Sequence, residues 1–145
     1  MKNIISELWN QELLPIKDAL YLSDGRAFSY KIASYPTPRV EKGESFDFVD
    51  FYNKNKDEVT SIDTIMNIKL SNGCYCCVGE GSYGSEGFIA CLDKNKVLKW
   101  VIYSETSNPF FNIYEYEDDT ILAESTANVK IKVNVNNPTN LDLMK

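Results

Sequence analysis

The sequence predicts a mainly β domain of the α+β class: an antiparallel sheet or β-sandwich of about seven to nine short strands behind one N-terminal α-helix. Three observations lead there. A helical apolar spacing opens the chain, two Asp-Gly or Asn-Gly turns each precede aromatic-rich strand material, and a strict polar/apolar alternation closes it. Residues 3–14 place Ile4, Ile5, Leu8, Trp9 and Glu12 at helical spacing, with Pro15 just beyond. This predicts a short amphipathic helix that packs its Ile/Leu side on the rest. The helical segment is set at residues 1–18 and the β domain at 19–145, with no linker or composition break between two domains. Leu22-Ser23-Asp24-Gly25 and Leu70-Ser71-Asn72-Gly73 repeat one turn pattern. Asp-Gly and Asn-Gly supply the positive backbone angles of a two-residue hairpin loop. Tyr35-Pro36-Thr37-Pro38 reads as a stiff loop. Phe46 and Phe48, with Phe51 as a further candidate, are spaced as a strand, and residues 53–58 as a polar loop. Strands follow at 62–70, 87–92, 97–104, 110–116, 120–123 and 129–135. In the last, Lys130, Lys132 and Asn134 alternate with Ile131, Val133 and Val135, the pattern of a half-buried strand.

Composition bounds the chemistry. A chain of 145 residues, 43% hydrophobic and 25% charged, is one ordinary globular domain, able to bury roughly 68–70% of its unfolded surface. There is no histidine, which removes the commonest general base, the commonest metal ligand and every Ser/His or Cys/His nucleophile pair. No apolar run reaches the length of about 18 residues that a membrane span needs. Glu7 falls where a signal peptide's apolar stretch would begin, so export is not expected. The net charge is −6, and residues 43–86 are the acidic part, with Lys54, Lys56 and Lys69 against eight acids from Glu44 to Glu86. Phosphate backbones would repel such a chain, whereas a basic protein partner would be attracted and steered. Cys74, Cys76, Cys77 and Cys91 lack zinc-knuckle spacing and read as reduced thiols of a cytoplasmic protein. On a strand Cys74 and Cys76 face one side and Cys77 the other.

The densest motif is the stretch from Gly79 to Gly87, which contains a literal G-x-G-x-x-G at Gly79, Gly81 and Gly84. A dinucleotide site needs a helix after that turn. Residues 87–92 instead read as strand, and Glu80 and Glu86 put negative charge where a phosphate would sit. A mobile or bulged glycine hairpin is expected, with its backbone and Tyr83 available to a protein partner. Carboxylates cluster at Asp47/Asp50, Asp57/Glu58 and Glu115/Glu117/Asp118/Asp119. They suit a solvated face, or a patch that mimics phosphate towards a basic partner. Asn108-Pro109-Phe110 reads as a turn that sends Phe110 into the core.

Read together, Gly79-x-Gly81-Ser82-x-Gly84-x-x-Gly87-Phe88-Ile89-Ala90, Leu98-x-Trp100, Ser107-Asn108-Pro109-Phe110 and Val133-x-Val135-Asn136-Asn137-Pro138 resemble the small acidic immunity proteins encoded beside bacterial polymorphic and contact-dependent-inhibition toxins. The resemblance covers about the C-terminal half of the chain. It implies a cytoplasmic, non-catalytic protein that binds a cognate toxin domain, often a basic nuclease, and needs neither cofactor nor metal. No interface motif of that class can be carried over, so charge and expected exposure select the partner-binding candidates. They are Glu80, Tyr83 and Glu86 on the glycine hairpin, and Glu115, Glu117, Asp118 and Asp119 near a later turn. Two other functions stay open: a structural or adaptor β domain that works through a sheet edge or the glycine loop, and a small carboxylate-dependent enzyme. The last would require a concave site holding an acid with a strongly raised pKa.

Overall fold

The computed structural model describes residues 3–144; Met1, Lys2 and Lys145, which end the expected 1–18 and 19–145 segments, lie outside them. Helix α1 (Ile4–Asn10) is capped by Asn3, whose side chain accepts the Ser6 N–H at 3.2 Å, and it buries Ile5 and Leu8 as the apolar spacing predicts. It is shorter than expected. Glu12 adopts φ 59°, and the chain passes directly into β1 (Leu13–Pro15), so residues 1–18 are not wholly helical. There follow β2 (Ala19–Leu22), β3 (Arg26–Ala33), β4 (Arg39–Asp47), α2 (Phe48–Lys54), β5 (Val59–Lys69), β6 (Tyr75–Gly81) and β7 (Gly87–Leu92). The chain ends with β8 (Leu98–Ser104), β9 (Phe110–Glu117), β10 (Thr120–Ser125), β11 (Lys130–Asn134) and β12 (Leu141–Leu143).

The fold class is as predicted, mainly β with antiparallel sheets and an N-terminal helix, but the described residues form twelve strands. β1, β2 and β12 are too short to declare a period, and β4 carries charge at five of its nine positions. The second helix, α2, replaces the expected strand around Phe48. Asp47 caps it by accepting the Asp50 N–H at 3.0 Å, and Phe48, Phe51 and Tyr52 fall at the i, i+3, i+4 spacing of one helical face.

Eight strands form one sheet in the order β1-β5-β6-β7-β8-β2-β3-β4, and four form a second in the order β12-β11-β10-β9. Strand alternation divides the apolar residues between two cores. One lies between the sheets and holds Cys76, Val78, Ile89, Trp100, Phe110, Ile113, Ile131 and Val133. The other lies on the opposite face of the large sheet, where α1 and α2 pack on Tyr21, Cys77, Phe88, Val101 and Tyr103. Cys76 and Cys77 thus point to opposite faces, as the alternation requires. Trp100 ties the layers together by donating its indole N–H to the Val135 carbonyl at 2.9 Å.

The hairpin loops differ in type from the expected two-residue turns. Each has three residues, and only the glycine is left-handed, Gly25 at φ 99° and Gly73 at φ 92°. Their N–H groups donate to Leu22 and Leu70, both at 3.0 Å, the pattern of a type I turn followed by a bulge residue. Lys96 and Asn128, both at φ 64°, occupy the same position in the β7–β8 and β10–β11 hairpins.

Candidate functional site

The hairpin joining β6 to β7 is closely packed, and three of its glycines serve that packing. A Cβ on Gly79 would lie 2.0 Å from the Asp63 carbonyl oxygen and 2.6 Å from the Phe88 ring. On Gly81 it would lie 2.2 Å from the Glu86 carboxylate, and on Gly87 2.5 Å from the Asn108 carbonyl. Only Gly84 faces open space. The loop backbone is tied down as well: Ser82 N–H donates to Thr60 Oγ1 at 3.1 Å, and Glu86 N–H to the Tyr83 carbonyl at 3.1 Å.

Glu86 corrects the expectation that this loop displays two carboxylates. It is only 2% exposed. One carboxylate oxygen accepts the Thr60 hydroxyl and the Tyr83 N–H, each at 2.9 Å, and the other accepts the Tyr103 hydroxyl. Burial, reinforced by that last bond, pushes the Tyr103 hydroxyl well above its ordinary pKa and keeps it a donor. Glu86 is therefore an internal pin between β5, β8 and the loop. Glu80 is half-buried and follows the Cys76/Val78 alternation towards the small-sheet side, so the two acids leave the hairpin on opposite faces. Tyr83 is the loop residue that stands free, 63% exposed.

Around this end of the sheet the structure assembles residues scattered in sequence. The β1–β2 connection brings Ile16, Lys17 and Asp18, and the end of β8 brings Glu105 and Thr106. The β3–β4 loop is held beside them by a bridge from Ala33 to Thr106 and by the Ser34 hydroxyl donating to the Thr106 carbonyl at 3.2 Å. Two adjoining clefts result. One, about 530 Å³, is lined by Ile16, Tyr83, Ser85, Glu86, Glu105 and Thr106. The other, about 510 Å³, shares Ile16 and Glu105 and is walled by both signs of charge, with Asp18, Glu41 and Glu58 beside Lys17, Lys31 and Lys42. Tyr35, on the β3–β4 loop, is 84% exposed, so the two most exposed large hydrophobic side chains among the described residues, Tyr35 and Tyr83, belong to this end.

Asp18 has the most perturbed carboxyl here. Its Oδ1 accepts the Glu105 N–H at 2.7 Å. Burial pushes its pKa up to about 6 against the pull of that hydrogen bond, with the Glu105 carboxylate adding to the rise and Lys31 and Lys17 opposing it. The ordinary value is 3.8, so the folded protein holds this proton more tightly than the unfolded chain does. Asp18 therefore contributes most favourably below its unfolded pKa. That advantage is lost as pH rises towards about 6, and above it the ionised carboxylate is a constant cost. A shift of this size corresponds to roughly 3 kcal/mol, which partial access to solvent reduces to about 1–2 kcal/mol. Asp18→Asn, whose amide oxygen can still accept the Glu105 N–H, should gain that much stability at pH 7 and nothing at pH 4. Urea titrations at the two pH values measure it, and an equal difference at both would contradict the assignment.

The remaining candidates lie at the far end. The β6 strand, Tyr75–Gly81, separates the β5–β6 turn from the glycine hairpin by about 20 Å. Glu115, Glu117, Asp118 and Asp119 sit beside that turn. Glu115 is not a free surface charge: its carboxylate accepts the Ser71 N–H at 3.0 Å and the Ser71 hydroxyl at 2.7 Å, clamping β9 to the other sheet. Asp119 takes φ 61° in the β9–β10 turn, and its carbonyl accepts the Val135 N–H at 2.8 Å. Glu117 and Asp118 are exposed. A cleft of about 590 Å³ at this end is lined by Leu22, Asp24, Arg26, Trp100 and residues 135–139. Its ion pair, Arg26–Asp24 at 2.8 Å, is satisfied internally.

The sequence reading missed Asp18, Glu105 and Tyr35, because nothing near them in sequence marks a site. The one available signal was an acid immediately before an apolar strand at Asp18, and another immediately after one at Glu105. Compared with family models, with curated proteins and with solved structures, the chain shows no significant match. Among the described residues no helix is long and apolar enough to cross a membrane.

Proposed function

We propose that the chain is a non-catalytic inhibitor of the immunity class, acting in the cytoplasm, which neutralises a basic toxin domain such as a nuclease by direct binding at the glycine-hairpin end. The observation that carries this reading is the pairing of exposed Tyr83 with the carboxylates of Asp18 and Glu105 around one pair of clefts, with exposed Tyr35 on the neighbouring β3–β4 loop. Aromatic anchors on a fixed backbone provide contact area with little ordering cost, and acids beside them steer and orient a basic surface. Neither role uses a nucleophile, a metal or a histidine.

The experiment is co-expression of the chain with the C-terminal domain of the protein encoded directly upstream, scored for growth rescue and co-purification. Rescue with a stable complex supports immunity. A toxic neighbour that is neither bound nor neutralised removes that pairing and favours the adaptor role.

A carboxylate-dependent enzyme is the second reading, and one observation favours it: Asp18, with a pKa raised to about 6, lies in a cleft that also holds Glu105. The two readings separate on Asp18→Asn. Loss of its ionisation abolishes acid/base catalysis, whereas an inhibitor loses one steering charge and still binds, with slower association.

A further inference from the structure

We propose that β9 is a dimerisation edge: two copies of the chain pair β9 with β9 in antiparallel register and continue the four-stranded sheet across a two-fold axis. The sandwich ends differently on its two sides. On one, β4 carries Arg39, Glu41, Lys42 and Glu44, and Lys42 reaches Asp142 of β12 at 3.3 Å. Charge along one edge strand and an ion pair to the other protect both sheets there. The other side consists of β5 and β9. β1 covers only residues 59–61 of β5, and among the described residues β9 pairs only with β10. The outer backbone groups of β9 thus have no ladder partner among the described residues.

Edge strands are ordinarily protected by lysine, proline or inward charge. Residues 110–116 contain no Lys, Arg or Pro, and their one acid, Glu115, is engaged by Ser71. β9 instead presents Phe111, Tyr114 and Tyr116, between 42% and 44% exposed, and Ile65 of the neighbouring edge strand β5 is 45% exposed. Six such aromatic side chains in a dimer offer on the order of 600 Å² of accessible area. With the paired backbone this approaches the roughly 1,000 Å² expected of a weak, specific dimer.

With a second copy as the occupant, the charge pattern fixes its direction. The acids of β9 lie at one end, Glu115 and Glu117, followed by Asp118 and Asp119. Directly opposed residues of an antiparallel pair share a face. A register centred on Tyr114 sets Tyr114 against its mate, Tyr116 against Asn112 and Glu117 against Phe111, so no acid opposes an acid. Parallel self-pairing would stack Glu115 on Glu115 and Glu117 on Glu117, which is unfavourable. This edge is separate from the clefts, and the dimer stands or falls independently of toxin binding.

The test is sedimentation equilibrium of the full chain over a wide concentration range, for the wild type and for Tyr114→Lys/Tyr116→Lys. The wild type should dimerise, and the double variant should weaken the dimer by more than about tenfold by adding charge to the edge. Amide hydrogen exchange of residues 110–117 in the wild type adds a readout that needs no variant. Protection there should rise with concentration. A wild type that stays monomeric throughout, or a dimer unmoved by the two lysines, overturns the proposal. So would protection gained on the β4 edge in place of β9.

Discussion

Gly79→Ala should cost more than about 3 kcal/mol, among the larger effects of any single methyl group added to this protein. The added carbon would lie 2.0 Å from a main-chain oxygen of β5, with the Phe88 ring at 2.6 Å on its other side. The oxygen is main chain and the ring is buried at 1% exposure in the helix-side core, so neither yields without moving a strand. The β5–β6 ladder already carries a register shift between Thr64 and Met66, next to the Thr64–Gly79 pair, and it would have to open there. For a domain of this size the loss corresponds to a Tm lower by about 6–12 °C. Gly84→Ala is the control: its Cβ meets nothing within 4 Å, and a change within about 0.5 kcal/mol is expected. Thermal melts of the two variants decide between a packed hairpin and a flexible one, since a hinge would make the two glycines equally tolerant.

The second large effect is at Glu86. Glu86→Ala removes the acceptor of the Thr60 hydroxyl, the Tyr83 N–H and the Tyr103 hydroxyl together. Three donors are then left in a buried site, and the expected cost is about 3–5 kcal/mol. Glu86→Gln keeps an oxygen for Thr60 and Tyr83 and offers its amide to Tyr103 as acceptor, so about 1 kcal/mol is expected. Equilibrium unfolding in urea orders the three proteins. Equal stability of the alanine and glutamine variants would mean that the hydrogen bonds to Glu86 do not hold the loop. The alanine variant should also reduce partner binding, because Tyr83 takes its backbone position from this carboxylate.

Much of the fold is legible where local chemistry and tertiary packing agree. Ile131, Val133 and Val135 alternate with polar residues and are buried in that order, and Phe110 enters the core from the Asn108-Pro109 turn. The segment around Phe48 is ambiguous in sequence, because Phe46 and Phe48 match a strand period while Asp47 is also a helix N-cap. Only packing of Phe48 against the Tyr21 ring, with centroids 5.0 Å apart, decides between the two. The residues that carry the immunity resemblance prove to be fold anchors: the close-packed glycines, Trp100 on Val135, and Phe110. They locate a scaffold, not an interface. Glu86 was legible as an acid on a glycine hairpin, but its burial depends on Thr60 and Tyr103, which lie 26 and 17 residues away. The cleft was illegible for the same reason, since Asp18 and Glu105 meet only through the pairing of β2 with β8.

The most direct measurement is the affinity of the purified chain for the toxin domain that the proposed function assigns to it, with substitutions divided between the two ends of the sandwich. Tyr83→Ala and Glu105→Lys change the hairpin end, and Glu117→Lys and Asp118→Lys change the far end. The hairpin-end pair should weaken binding by more than about 2 kcal/mol, with Glu105→Lys also slowing association and reducing its salt dependence. The far-end pair should leave affinity within about threefold. Affinity that falls only with the far-end substitutions would contradict the placement of the site at the glycine hairpin.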